Sequence, residues 1–235
     1  IDKAIADYTT AIQLEPTNPE PYRIRASFYD QRGMKYQAAK DYQQVVELAN
    51  EAISQNADVI SSHLLLGEMH RKLGHINQSL ASYTQILASY PENAEAFIGR
   101  GNTYVRQGRL YKAMDDYNQA IALQPDEPWY YIHRGSVAFR LMLVDQALSD
   151  YNEAMKLNST IPWTFLNRSN IFLHRADTEQ AFADIEQAIQ LDPQNLQIRI
   201  ARADASLRVG QIDKAFAYYA EAITLHPDSG EAYMQ

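Results

Sequence analysis

The two tryptophans of the chain, Trp129 and Trp163, lie 34 residues apart. Basic side chains recur at the same interval, as Arg106, Arg140 and His174. Large aromatic side chains bury much area at low entropic cost, and a few cations beside them fix the orientation of a ligand. This combination is typical of a surface that binds a segment of another protein.

Further residues join this pattern if the segments that carry them are helices, because residues four apart lie on one helical face. Amides precede two of the basic residues by four positions, and another amide and a histidine follow the tryptophans by four. The candidate site then adds Asn102, His133, Phe139, Asn167 and Asn170 to the residues named above.

The same residues also have a structural interpretation. Pro128 and Pro162 precede the tryptophans, so each indole could simply pack on the loop before its helix. A basic residue at every interval could likewise be general to the repeated fold. Both interpretations stay open at the level of sequence.

The ends of the basic ladder differ from its middle. Glu68 precedes Lys72, and Asp204 precedes Arg208, by four residues. Opposite charges at this spacing attract each other on a helix. We therefore expect the end cations to be neutralised and the middle of the ladder to be its electropositive part.

No motif indicates catalysis or a bound cofactor. The sequence contains no G-x-S-x-G, P-loop, dinucleotide-binding or H-E-x-x-H pattern. It has no cysteine, and the spacings of His63, His70 and His75 do not pair two imidazoles on one helical face. We therefore expect no enzyme activity, no metal and no cofactor.

Charge and hydropathy restrict the partners. Lys and Arg number 21 against 29 Asp and Glu, a net charge of −8, which disfavours binding to nucleic acid or anionic lipid. No apolar run approaches the roughly 18 residues of a membrane span. The sequence predicts a protein or peptide partner, no nucleic acid and no membrane insertion.

The elements that carry these residues repeat along the chain. Five prolines end similar tripeptides (LEP, SYP, LQP, LDP and LHP). They are spaced by 34 or twice 34 residues, with seven extra residues in the first interval. They are Pro16, Pro91, Pro125, Pro193 and Pro227. With proline at position 32, the complete units are 19–52, 60–93, 94–127, 128–161, 162–195 and 196–229, with partial units at 1–18 and 230–235.

Each unit carries the residues that a packed helix pair needs. Position 8 is always small, position 20 is Ala or Ser, position 24 is Tyr in five of the six complete units, and position 27 is small or β-branched. Positions 20, 24 and 27 share one helical face. Glycine occupies position 15 in four units and separates a first helix, A, from a second helix, B.

In these residues the chain resembles the tetratricopeptide repeat (TPR) family over its whole length. The resemblance implies an all-α fold, a right-handed superhelical solenoid of antiparallel helix pairs whose A helices line a concave groove. It also implies that the chain binds a protein partner. Positions 2, 5, 6, 9, 12 and 13 of helix A would face the groove. The lysine that family members use to capture chaperone tails is replaced by Arg23 in one unit and is apolar in the others, so we do not expect that activity.

Two departures from the family pattern lead to further expectations. The seven extra residues near 53–59 add about two turns to a B helix, or alternatively form a loop at 54–58. Residues 1–16 form a B helix without its A helix, and residues 230–235 begin another A helix. We expect a piece of a longer array, with a homo-oligomer formed through exposed ends. A second hypothesis is that the array is the regulatory arm of a larger enzyme.

A charge pair recurs inside the units. Arginine stands at position 7 in five units, and aspartate stands at position 23 in four of them. We predict a partly buried arginine–aspartate link within each unit. The competing interpretations are a pair across units, such as Asp7 with Arg25, and arginines that contact a ligand.

Overall fold

The computed structural model describes residues 1–225, which form 13 α-helices and contain no strand. The helices are α1 (Asp2–Leu14), α2 (Pro19–Gln31), α3 (Lys35–Ser54), α4 (Val59–Leu73), α5 (Ile76–Ser89), α6 (Ala94–Arg106), α7 (Leu110–Leu123), α8 (Pro128–Arg140), α9 (Val144–Leu157), α10 (Pro162–His174), α11 (Thr178–Leu191), α12 (Leu196–Arg208) and α13 (Ile212–Leu225). The predicted all-α fold of helix pairs is confirmed. The partial repeat expected at 230–235 lies outside the described residues.

The helices group into two compact units. The first, Ile1–Pro125, holds α1 to α7, and the second begins at Asp126 and holds α8 to α13. In the first unit α4 contacts α6, and in the second α10 contacts both α8 and α12. Within the first unit α4 and α6, and within the second α8, α10 and α12, therefore form one layer of A helices, here called the A layer. A single continuous solenoid domain stays a prediction.

The local sequence sets where the helices begin and turn. Asn18, Asn93 and Asn195 each accept a hydrogen bond from a backbone N–H in the first turn of the following helix, as N-cap residues do. The turns between helices A and B pass through the left-handed region at position 15. Glycine adopts that conformation readily, but Met142 and Ala176 adopt it too, with φ of 61° and 58°.

Four of the tyrosines at position 24, Tyr42, Tyr83, Tyr117 and Tyr151, are buried in the core of their helix pairs. A Cβ atom added to Gly101 would lie 2.6 Å from the ring of Tyr117, and one added to Gly67 would lie 2.5 Å from the ring of Tyr83. Each ring thus packs directly on the backbone of the facing A helix. The small residue at position 8 is what allows this contact, because protein cores leave no spare room.

Helix α3 is longer than the other B helices, with 20 residues where α5, α7, α9, α11 and α13 have 14. Ile53 in its added turn packs against the buried cluster of the first unit. Beyond Ser54 the chain turns through Asn56 and Asp58, both with positive φ. The added residues, nearly two helical turns, are therefore anchored by packing.

The arginine–aspartate links form within the helix pairs. Each guanidinium donates from Nε and Nη2 to both carboxylate oxygens at distances of 2.6 to 3.0 Å. The pairs are Arg25–Asp41, Arg100–Asp116, Arg134–Asp150 and Arg168–Asp184. The within-unit prediction is confirmed by these contacts.

Two of these four arginines also reach the preceding helix pair. Arg25 donates to Thr9 Oγ1 at 2.9 Å, and Arg168 donates to Asn152 Oδ1 at 2.7 Å. The cross-unit partner of Arg25 is therefore Thr9 and not Asp7. Arg202, which lacks an aspartate at position 23, bonds to Glu186 and Glu221 instead. One guanidinium therefore joins three helices, which fixes the stacking of neighbouring repeats.

Replacing Arg134 by alanine should leave the Asp150 carboxylate, only 2% exposed, without its counter-ion. Loss of one partner of a buried pair costs about 3 kcal/mol, and urea unfolding followed by circular dichroism measures it. Arg175→Ala is the matched control, because its partner Asp145 is 97% exposed and such pairs contribute under about 1 kcal/mol. Equal losses in the two variants would contradict the proposed role of the buried pair.

Stability should fall as the pH drops below about 6.5, the ordinary pKa of histidine. His63 is buried and neither ring nitrogen has a hydrogen-bond partner within the described chain, and burial lowers its pKa. The unfolded chain therefore binds the proton first, and each such histidine reduces stability by at most about 1.4 kcal/mol per pH unit. Urea unfolding between pH 8 and 5 should show a shallower decline for His63→Leu, and an unchanged slope would refute the assignment.

Candidate functional site

The two tryptophans lie in the first turns of α8 and α10, two adjacent A helices of the second unit. Trp129 is 43% exposed and Trp163 is 37% exposed. Proline at the first helical position, with its fixed φ, starts each of these helices. Neither indole is sealed in the core, so part of each ring is open to a ligand.

Aromatic contacts connect other members of the candidate site. The ring of His133, one turn beyond Trp129, lies 6.5 Å from the indole. Phe139 on α8 and His174 on α10 meet edge to face, with centroids 5.8 Å apart, a favourable aromatic geometry. The last turns of the two helices are thus joined by one aromatic pair.

The polar members on α8 and α10 differ in their partners. Arg140 is exposed, and no ion pair to it forms within residues 1–225. Asn167 is half-buried one turn beyond Trp163. Asn170 donates to the carbonyl of Leu166 at 3.2 Å, and it lines a cavity of about 220 Å³ together with Asp204 and Arg208. The candidate residues of the second unit thus present both aromatic and polar groups.

Asn102 and Arg106 belong to α6 in the first unit. The hydroxyl of Tyr117 donates to Asn102 Oδ1 at 2.7 Å. Arg106 Nη1 donates to the carbonyl of Arg71 at 2.7 Å, near the C-terminal end of α4. Both residues thus have structural contacts, and the eight other candidate residues lie together on α8 and α10.

Direct ion pairs between Glu68 and Lys72 and between Asp204 and Arg208, which the spacing favours, do not form within residues 1–225. Lys72 lies 6.0 Å from the centroid of the Tyr42 ring, with no ion pair to Glu68. Asp204 accepts a hydrogen bond from the Tyr219 hydroxyl and forms no pair with Arg208. Instead, tyrosines at position 24 contact two of these residues: the Tyr42 ring attracts Lys72, and the Tyr219 hydroxyl donates to Asp204.

This role of position 9 was missed at the level of sequence. Asn102 and Asp204 accept from the tyrosines of their own units, while Asn170, opposite Ile185, bonds to its own helix backbone. Position 9 is polar in all six complete units, including the unit with Ile185 at position 24, so the sequence pattern does not single out this contact. Position 9 therefore serves the core as well as the A layer.

No helix among residues 1–225 is both long enough and apolar enough to cross a membrane.

Comparison with known proteins identifies the family. The tetratricopeptide repeat family matches residues 64–128 and 166–230, more than half of the chain. The chain therefore belongs to the tetratricopeptide repeat family. Proteins of this family generally mediate protein–protein interactions. No curated protein sequence matches the chain.

Solved structures share this fold. PilW, described as a widely conserved type IV pilus biogenesis factor, has a TM-score of 0.74 at 16% identity, over 88% of this chain and 96% of its own. TTC0263, a thermophilic TPR protein in Thermus thermophilus, has 0.64 at 23%, over 74% and 95%. YrrB, a TPR protein described as having an unusual peptide-binding site, has 0.53 at 18%, over 96% and 95%. At these identities the similarity shows the fold alone.

The exposure of the two indoles predicts their fluorescence. In the single-tryptophan variants Trp129→Phe and Trp163→Phe, acrylamide should quench the remaining indole efficiently in the folded protein, because both rings are more than a third exposed. The measurement is the quenching constant, with the guanidinium-unfolded chain as reference. A folded-state constant near zero for either variant would show that the corresponding indole is buried.

Proposed function

We propose that the protein is a non-catalytic interaction scaffold that binds a peptide segment of a partner on the A layer of the second unit. The peptide lies across α8 and α10, with Trp129 and Trp163 as apolar anchors. Arg140 supplies the positive charge that orients the segment, and His133, Asn167, Asn170 and the Phe139–His174 pair provide its surroundings. An extended or helical peptide with apolar anchors fits this surface best.

The exposure of both tryptophans on adjacent A helices is the observation that carries the proposal. Large aromatic side chains that are exposed on neighbouring elements mark an interaction site when they form one patch. At the centres of protein interfaces, tryptophan and arginine contribute more binding energy than other residues. Arg140, in the last turn of α8 and without an ion pair among residues 1–225, fits the same interpretation.

The family and one structural relative support a peptide as the ligand. TPR proteins bind protein partners, and YrrB is a TPR protein with a peptide-binding site by its description. The net charge of −8 favours a protein over a nucleic acid. We propose further that the chain contributes recognition and no catalytic group, since its polar clusters stabilise the helix packing.

The triple variant Trp129→Ala/Trp163→Ala/Arg140→Glu should lose partners that the unaltered chain captures in a pull-down, because it removes both anchors and reverses the orienting charge. Loss of such anchors costs about 2 kcal/mol each, so the expected decrease in affinity exceeds a hundredfold. Quantitative mass spectrometry of the captured proteins measures it.

The matched control is Tyr36→Ala/Tyr111→Ala/Lys40→Glu, which removes two exposed aromatic rings and one positive charge from the B helices α3 and α7. Circular dichroism and thermal unfolding verify that both triple variants are folded. The control should retain every partner. Retention of all partners by the tryptophan variant, or equal losses in both, would contradict the proposed surface.

A further inference from the structure

Basic side chains surround a cavity of about 390 Å³ in the first unit, at the C-terminal ends of α2, α4 and α6. The charged residues that line it are Asp30, Lys35, Arg71, Lys72 and Arg106. Four cations against one carboxylate are unusual in a chain whose acidic residues outnumber its basic ones. The cavity lies in the other unit from the tryptophan surface.

The only carboxylate among these residues is already engaged. Lys35 Nζ lies 3.3 Å from Asp30 Oδ1, and the Tyr42 hydroxyl donates to Asp30 Oδ2 at 2.8 Å. Both oxygens of Asp30 therefore have partners on the near side of the cavity. Asp30 offsets Lys35, and no other carboxylate lines the cavity beside Arg71, Lys72 and Arg106.

The three remaining cations form no ion pair within the described chain. Arg71 Nε is buried and has no hydrogen-bond partner there, a state that is costly for a charged donor. One N–H of Arg106 donates a hydrogen bond to the Arg71 carbonyl, so the two arginine residues lie close together. Lys72 has only the weak attraction of the Tyr42 ring.

Helix dipoles give these residues a structural role, but they do not cancel the charge. Each helix C-terminus carries about half a negative charge, so the ends of α2, α4 and α6 supply about −1.5. The lining side chains carry a net +3. About +1.5 therefore remains, and at physiological salt the Debye length of about 8 Å screens much of the negative charge elsewhere in the chain.

We propose that this cavity binds an acidic segment of a protein partner through Arg71, Lys72 and Arg106. Two arginine forks suit the paired oxygens of carboxylates, and the compact lysine adds a third charge. A volume of about 390 Å³ takes several side chains, more than a single small anion needs. Among anionic ligands, an acidic peptide also fits the interaction function of the family.

The test is fluorescence anisotropy of the 235-residue chain with a labelled eight-residue peptide of Asp and Glu, at 0.15 M salt. A peptide of the same length in Asn and Gln is the neutral comparison. The acidic peptide should bind at least tenfold more tightly than the neutral one. Lys72→Glu/Arg106→Glu should weaken its binding by roughly tenfold or more, since each exposed pair contributes up to about 1 kcal/mol.

Lys40→Glu/Lys112→Glu is the matched control, because it makes the same change in net charge on exposed residues of α3 and α7. It should change the affinity less than twofold. Lys72→Gln alone serves if the double variant unfolds, and it should weaken binding by a smaller but measurable factor. Trp129→Ala/Trp163→Ala should bind the acidic peptide normally, so failure of this site and failure of the tryptophan surface are distinguishable.

Several outcomes would overturn the proposal. They are equal binding of the acidic and neutral peptides, equal weakening in the control variant, and stronger binding of an eight-residue single-stranded oligonucleotide than of the acidic peptide. Full displacement of the peptide by millimolar inorganic phosphate would assign the cavity to a small anion instead. Retention of the peptide under phosphate, with loss only in the Lys72 and Arg106 variants, would support it.

Discussion

The packing of most helix pairs depends on one guanidinium at position 7 of helix A, which five of the six complete units carry. In four pairs it forms two hydrogen bonds to a buried aspartate of helix B, and at Arg25 and Arg168 it also reaches the preceding pair. A planar guanidinium with fixed hydrogen-bond partners determines the relative orientation of the helices as well as the distance between them. Apolar packing alone would permit sliding, so this contact sets how successive A helices line up and present their outer residues.

The second constraint is the tyrosine at position 24, which links the core to the A layer. Its ring requires a small residue opposite, as at Gly101, and its hydroxyl bonds to a polar group on helix A, as at Asn102. Some residues of the candidate site therefore belong to the packing. The residues that remain available for a ligand are those without this contact, above all Trp129, Trp163 and Arg140.

The sequence predicted the helix pairs and the arginine–aspartate links, because each depends on residue types at a fixed spacing. It failed at Lys72 and Arg208, where spacing along one helix predicted ion pairs. Tyr42 and Tyr219 lie on the facing helix, and their contacts with Lys72 and Asp204 replace those pairs. Such competition across helices is not visible in a pattern along one helix. The cluster of Arg71, Lys72 and Arg106 was hidden for the same reason, since it assembles from two helices.

Site-specific photo-crosslinking in the source cells tests the central claim most directly. A photoreactive phenylalanine analogue is placed at Trp129 or Trp163 in the A layer, and at Tyr36 or Tyr111 on the B helices for comparison. Our account predicts the same partner peptide crosslinked at both tryptophan positions and at neither tyrosine position. Crosslinks of equal yield at all four positions, or only at the tyrosines, would contradict it.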